Sequence, residues 1–283
     1  MVNIFRGRKI VIATAHNKEE VIAPLLEEAL DVEVIIPKNF NSDKFGTFTR
    51  EVKRAGDQLE AARAKVYAAM EQEGVDLGIS SEGSFGSEPS TPFIQSNLEL
   101  VLLIDKKNNY EIKGHYRTSN TNISGVYVSN IQEALEFAQK IGFPKHGIIV
   151  RKSDKNHNKI AKDIHTEADL KEKITQLLSS PFTKKIFLET DMRAHKNPTR
   201  MQAIELATKD LIKNIKSLCP HCSAPGFAII DYEKGLRCSH CKFPTDIPLY
   251  DIYQCNTCGY KEKELITKYG DFANPQYCDN CNP

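Results

Sequence analysis

All eight cysteines of this 283-residue chain fall in its last quarter, as four C-x-x-C pairs. They are Cys219/Cys222, Cys238/Cys241, Cys255/Cys258 and Cys278/Cys281. Each C-x-x-C turn presents two thiolates to one metal, and two such turns complete a closed, tetrahedral Zn²⁺ site. Fifteen residues separate the first two pairs and nineteen the last two, within the ~15–20 spacing of zinc ribbons. The expectation is two structural Zn²⁺ ions with the pairs used in sequence, Cys219/Cys222 with Cys238/Cys241 and Cys255/Cys258 with Cys278/Cys281. Spacing alone leaves a cross-braced pairing open. His221 and His240 lie inside the loops and are expected to be bystanders. Free thiols grouped for metal suit a reducing compartment, so a cytoplasmic location is expected.

The rest of the chain has no cysteine, which splits the molecule into an α/β domain over residues 1–214 and a small double zinc-ribbon domain over 215–283. The length suits two domains. With 38 Lys/Arg against 37 Asp/Glu, the global charge points to neither nucleic acid nor membrane. No apolar run approaches the ~20 residues that span a bilayer. The Arg6, Arg8, Lys9 start followed by Ile10–Ala15 imitates a signal peptide, but its apolar part falls short of the ~7–15 residues of such a segment and reads as a first strand.

Strand-like and helix-like stretches then alternate. Lys9–Ala15 is an apolar strand, and a helix opens at 16–20 with Val21, Ile22, Leu25, Leu26 and Leu30 at helical spacing. Val32–Ile36 reads as a strand, Asn39–Thr47 as a polar loop and Phe48 to about Glu73 as a long helix. Val75–Ser80 reads as a strand that breaks into a Gly/Ser loop through Gly86. Asn97–Asp105 and Tyr110–Thr118 form a hairpin around Lys106–Asn109. Helices follow over Ile131–Ile141 and Glu167–Leu178, with strands at Gly147–Val150 and Lys185–Glu189 and an exposed loop over Arg151–Lys162. A last helix begins at Pro198, capped by Asn197, and runs to about Leu218. This order gives an α/β fold with a mixed sheet.

Three polar stretches could carry chemistry. Asp76–Gly86 sets Ser81, Glu82 and Gly83 after a strand, where α/β proteins place ligands; glycines at 83 and 86 would let a backbone approach a ligand. An ordinary solvated turn is the alternative. Thr14, His16 and Lys18 precede a helix start, whose free amides suit an anion; simple capping is the alternative. Arg193, His195, Lys196 and Arg200 surround the Asn197 cap, where cations oppose the helix dipole and so suit an anionic ligand.

In this order the pieces resemble the house-cleaning nucleoside triphosphate pyrophosphatases of the inosine/xanthosine triphosphatase and Maf-like fold. Ala13-Thr14-Ala15-His16-Asn17-Lys18 is similar to that superfamily's opening strand-A-T-x-N-x-x-K, with the lysine one residue early. Glu60-Ala61-Ala62-Arg63-Ala64-Lys65 resembles its E-N-A-x-x-K-A helix, Ile79-Ser80-Ser81-Glu82-Gly83 its acidic strand end, and Lys196-Asn197-Pro198-Thr199-Arg200 a shortened K-N-x-x-S-H-R. The whole chain, tail included, also resembles a bacterial family defined only as a domain of unknown function. The first resemblance implies Mg²⁺-dependent attack of water between the α- and β-phosphates of a nucleotide. It implies Thr14, His16, Lys18 and Lys65 on phosphate oxygens, with Ser81 and Gly83 in the same loop. Glu82, with Glu60 or Glu51, would serve Mg²⁺ and water, and Arg193, Lys196, Asn197 and Arg200 the base or phosphates.

Charge decides what the tail can bind. From Asn214 onward there are seven Lys/Arg and eight Asp/Glu, and each Cys₄–Zn²⁺ site adds two negative charges, so nucleic acid is disfavoured. A stabilising role or a protein partner is expected instead, with a homodimer among the assemblies admitted. The leading expectation is therefore a nucleotide or other phosphorylated small molecule bound by the first domain. The competing one is a non-catalytic interaction module built on the zinc ribbons.

Overall fold

A computed structural model describes residues 3–14, 16–40, 57–88, 91–153 and 160–283. The apolar repeat after Arg8 forms strand β1 (Lys9–Ala13), followed by helix α1 (Glu19–Leu30) and strand β2 (Glu33–Ile35). Helix α2 (Gln58–Glu73) opens on a capping box in which Asp57 accepts from the Glu60 amide and Glu60 from the Asp57 amide. It leads to β3 (Leu77–Glu88), β4 (Thr91–Asp105) and β5 (Tyr110–Thr118). The expected helix start from Phe48, and Glu51 with it, lie outside the described residues.

These strands make one sheet in the order β2-β1-β3-β4-β5, with β1 parallel to both β2 and β3 and β4 antiparallel to β3. The Gly/Ser stretch is not a loop. It continues β3, register by register, from Leu77 opposite Asp105 to Gly86 opposite Ser96. Cross-strand hydrogen bonding to β4 outweighs the poor strand propensity of its glycines. Alternate residues of β3 therefore face opposite sides. Ser80 and Glu82 face α2, where Val11, Ala13, Ala62, Val66, Met70, Leu100 and Leu102 form a core. Ser81, Gly83 and Phe85 face the other way, with Asn97 and Glu99 of β4 opposite Phe85 and Gly83.

A second sheet, in the order β6-β9-β7-β8, is built from β6 (Gly125–Val128), β7 (Ile148–Arg151), β8 (Ile160–Ala161) and β9 (Ile186–Thr190). Its Val128, Ile148, Val150, Ile186 and Leu188 pack with Ala134, Phe137 and Ile141 of helix α3 (Ile131–Ile141) and with Leu170 and Ile174 of α4 (Glu167–Leu178). A short 3₁₀ turn (Ala194–Lys196) leads to α5 (Pro198–Lys216). Asn197 caps α5 as expected, its Oδ1 accepting from the Arg200 amide at 3.0 Å.

The tail holds an antiparallel sheet of β10 (Ala228–Lys234), β11 (Pro248–Gln254) and β12 (Lys261–Leu265), in that order. By contact the chain divides into two compact units. One comprises Met1–Lys107 with Lys113–Ile212, and the other Asn108–Ile112 with Lys213–Pro283.

Gly114 shows how closely the first unit is packed. A Cβ there would lie 2.2 Å from the Leu211 amide nitrogen and 2.4 Å from the Ala207 carbonyl oxygen, so the backbone of α5 rests on β5 at this point. Overpacking that only backbone movement can relieve costs about 1–3 kcal/mol. Gly114→Ala is expected to reach at least the top of that range in urea unfolding. Gly86→Ala, where a Cβ meets nothing within 4 Å, should leave the midpoint nearly unchanged.

Candidate functional site: two tetra-cysteine clusters and a buried charge cluster

The four C-x-x-C turns share a local geometry. In the first three, the residue after the second cysteine has positive φ: Ser223 at 59°, Lys242 at 61° and Gly259 at 75°. That conformation turns its amide onto the carbonyl of the first cysteine, at 2.8 Å for Ser223 to Cys219, 3.1 Å for Lys242 to Cys238 and 2.9 Å for Gly259 to Cys255. The fourth turn closes through the Asn282 amide to the Cys278 carbonyl at 2.8 Å. Both sulfurs of each pair are thereby aimed the same way.

The clusters they form are Cys219, Cys222, Cys255 and Cys258, and Cys238, Cys241, Cys278 and Cys281. First pairs with third and second with fourth, so the expected sequential pairing is corrected to an interleaved one. The reason is the sheet. β10 leads away from the first turn, β11 returns antiparallel to deliver the third beside it, and β12 runs back toward the end that holds the second. At that end the fourth turn is brought in by the pairing of Ala273 with Cys238.

All four sulfurs of each cluster lie within 4.8 Å of one another, with Cys219–Cys258 at 3.7 Å, Cys222–Cys255 at 3.6 Å, Cys238–Cys281 at 3.9 Å and Cys241–Cys278 at 3.5 Å. A tetrahedron with Zn–S bonds of ~2.3 Å has edges of ~3.8 Å. A disulfide is ~2.05 Å long. The donor set and spacing fit Zn²⁺ in both clusters. His221 stacks on Tyr260, ring centroids 5.8 Å apart, and the His240 backbone amide donates to the Cys238 sulfur at 3.4 Å; neither imidazole belongs to a cluster. Around the first cluster, Phe227 stacks on Tyr253, and Tyr110 packs alongside.

The second site is at the carboxyl end of β1, beside the middle of β3. From β1 the chain goes to β2 on one side and then, through α2, to β3 on the other, which makes this the topological switch point of the sheet. The last β1 register pairs Ala13 with Ser80, so β3 continues past the end of β1. There Lys18 takes the place of a neighbouring strand, donating to the Ser81 carbonyl at 2.8 Å and lying 3.4 Å from the Ser81 hydroxyl. Lys18 is only 6 % exposed. Thr14 is buried beside it in the chain, and its hydroxyl has no hydrogen-bond partner among the described residues.

Two buried ion pairs flank this point on opposite faces of the β3–β4 pair. Lys65 of α2 pairs with Glu82, whose carbonyl also accepts from Gln58 at 2.7 Å. Arg200 of α5 pairs with Glu99 at 2.8 Å, donates to the Met192 carbonyl at 2.6 Å and lies over the Phe85 ring. A Cβ on Gly83 would sit 2.6 Å from both the Arg200 Nη2 and a Glu99 oxygen. The glycine is thus needed for the ion pair rather than for ligand approach.

The basic turn before α5 is also internally neutralised. Arg193 reaches Asp191 at 2.6 Å and Asp163 at 2.9 Å, and Lys196 lies 3.6 Å from Asp163. Asn197 uses its amide group on Asn122 and its carbonyl as the cap. Glu60 caps its own helix. His16 stacks on His195, centroids 5.1 Å apart. The structure thus gathers Thr14, Lys18, Lys65, Ser81, Glu82 and Arg200 around one strand end, and gives Arg193, Lys196 and Asn197 partners of their own. Glu99 and Asp191 escaped the sequence reading. Glu99 is a lone acid in an apolar strand, which is the one signal that could have marked it.

Burial pushes the Lys18 ammonium down to about 7, and the nearby Arg200 charge adds to this against the opposing pull of Glu82 and Glu99. The His195 imidazole is lowered by burial and by Arg193 and Lys196.

Two outcomes test this geometry. Replacing Cys219, Cys222, Cys255 and Cys258 together by Ser should leave one Zn²⁺ per chain by elemental analysis, because the other cluster stays whole; sequential pairing would leave no complete site. Arg200→Met strands Glu99 in the interior and should cost about 3–5 kcal/mol in denaturant unfolding, with much of that recovered in Arg200→Met/Glu99→Met.

No curated protein matches this chain. A family model described as a domain of unknown function (DUF6671) matches residues 65–283. That span covers β3, Glu82, Glu99, Arg200 and all eight cysteines. The chain belongs to this family.

Proposed function

We propose that the first unit binds a phosphorylated small molecule of the nucleotide class at the carboxyl end of β1, beside Ser81 and Glu82 of β3, and that the tail is held by two structural Zn²⁺ ions. The observation that carries this reading is Lys18. It is a buried ammonium whose hydrogen bonds among the described residues go to one backbone carbonyl and one hydroxyl. A buried cation is costly unless it meets a counter-charge. The two nearby carboxylates, Glu82 and Glu99, are committed to Lys65 and Arg200. The unpartnered Thr14 hydroxyl supplies a further donor at the same strand end. A phosphate oxygen satisfies both.

The resemblance to nucleoside triphosphate pyrophosphatases extends this reading to hydrolysis. Mg²⁺ at such a site takes one or two carboxylates together with phosphate oxygens and water. The carboxylate that the resemblance assigns to this role, Glu82, is paired with Lys65. The residues therefore support the binding half of that chemistry.

A second reading, an interaction module, is favoured by the tail surface. Ile229, Ile230 and Tyr232 along β10 and Phe243, Phe272 and Tyr277 beyond it are each about half exposed. Exposed apolar patches of this kind mark contact sites.

The zinc-loaded chain is expected to bind nucleoside phosphates in calorimetry, and Lys18→Met to weaken them by about 10–100-fold, the loss of one charge-assisted hydrogen bond. A pyrophosphate-release screen with Mg²⁺, run beside Glu82→Gln, tests the hydrolytic extension. Absence of binding by every nucleoside phosphate in a folded protein would leave the interaction module.

A further inference from the structure

At the strand-end site no hydrogen bond of Lys18 among the described residues goes to a carboxylate. The groups facing Lys18 come from four elements: Glu82 on β3, Lys65 on α2, Glu99 on β4 and Arg200 on α5. On its own segment His16 precedes it and Glu19 and Glu20 follow, with Glu20 accepting from Asn17 at 2.9 Å. Of these, Lys65 and Glu82 neutralise each other, as do Arg200 and Glu99. Lys18 itself is out of water, and its hydrogen bonds among the described residues go to a neutral carbonyl and a neutral hydroxyl. Desolvation without a counter-ion favours the free amine. A phosphate dianion arriving at the same spot reverses that preference, since an opposite charge within ~4–6 Å favours the charged form.

We propose that phosphate binding and protonation of Lys18 are coupled: where the empty site holds the neutral amine, the dianion enters together with a proton. This rests on the phosphate reading above and adds the way the site is regulated. The lowered ammonium, at about 7, sets the pH at which the coupling shows. Below it, Lys18 is already charged and binding takes up no proton. Above it, each pH unit weakens binding by up to tenfold, because the proton must be drawn from a more dilute supply. A phosphate monoester also loses its second negative charge below about pH 6. Its affinity should therefore peak between about 6 and 7, whereas sulfate, a dianion throughout, should keep its full affinity down to the lowest pH at which the protein is folded.

The experiment is titration calorimetry of the zinc-loaded full chain with adenosine monophosphate and, separately, with sulfate. Each is run at pH 6, 7 and 8, in two buffers of different ionisation enthalpy. The expected result at pH 8 is uptake of about one proton per ligand bound. The monoester should show a peak and sulfate only a falling upper limb. Lys18→Arg, which keeps its charge throughout this range, should bind without proton uptake and with equal sulfate affinity at pH 7 and 8. Wild-type binding with equal heats in both buffers at pH 8 would overturn the coupling while leaving the phosphate reading intact. So would the same uptake in Lys18→Arg. Binding of neither probe at any pH would overturn the phosphate reading, and the coupling with it.

Discussion

The long antiparallel pairing of β3 with β4 is the constraint on which the first unit depends. It fixes which β3 residues face which side, and the polar contacts made by β3 follow from that alternation. Ser80 meets the Ala62 carbonyl and Glu82 meets Lys65 on the α2 side. On the other side, Gly83 makes room for Arg200 and Ser81 lies within reach of Lys18. A one-residue slip would exchange the two faces and bury each carboxylate away from its cation. Buried ion pairs are weak evidence of stability, but breaking one is costly. They therefore act here as a check on register, favouring this pairing over its neighbours.

In the tail the apolar mass is small, and the two tetra-cysteine clusters could hold metal ions that supply the constraint. The first cluster's apolar surroundings amount to little more than Ala224, Phe227, Tyr110 and Tyr253, too little for a small unit to stand on. Interleaved pairing makes each site close a longer loop than sequential pairing would, 32 and 36 residues between pairs instead of fifteen and nineteen. Loop-closure entropy rises only slowly, about 0.6 kcal/mol per doubling, so the added cost is small. In return, all three strands are held between two fixed ends. β12 offers Lys261, Glu262, Lys263 and Glu264 on its outer side, a charged edge that discourages further pairing, whereas β10 offers Ile229, Ile230 and Tyr232.

Local signals were read well from the sequence. The helices expected over Ile131–Ile141 and Glu167–Leu178 are α3 and α4 as found, and the side chains that cap their starts, Asn130 and Thr166, act within four residues. Asn197 before Pro198 was legible for the same reason. What escaped depends on distant partners. Gly83 and Gly86 look like loop residues until β4 is laid beside them. Arg193 and Lys196 look like free cations until Asp163, some thirty residues away, is brought to them. The cysteine clusters were evident as a set, yet their pairing is a property of the strand order and not of the intervals. At the strand-end site, Lys18 and Glu82 could be named from the sequence, but the burial of Lys18 against the Ser81 carbonyl could not.

The membership of Asn108–Ile112 in the second unit has a consequence for how this architecture can be inherited. A stretch beginning at Lys213 carries every cysteine but lacks Tyr110, which packs on the first cluster, and Ile112, against which Gly226 lies closely. The zinc-bearing part is therefore not a cassette that a single recombination point could append to another protein. Its five outlying residues sit in the turn and first residues of β5, so a break at Lys213 separates them from the cysteines. The family model reaches from Lys65 through the tail as one continuous span, as a shared inheritance of this kind requires.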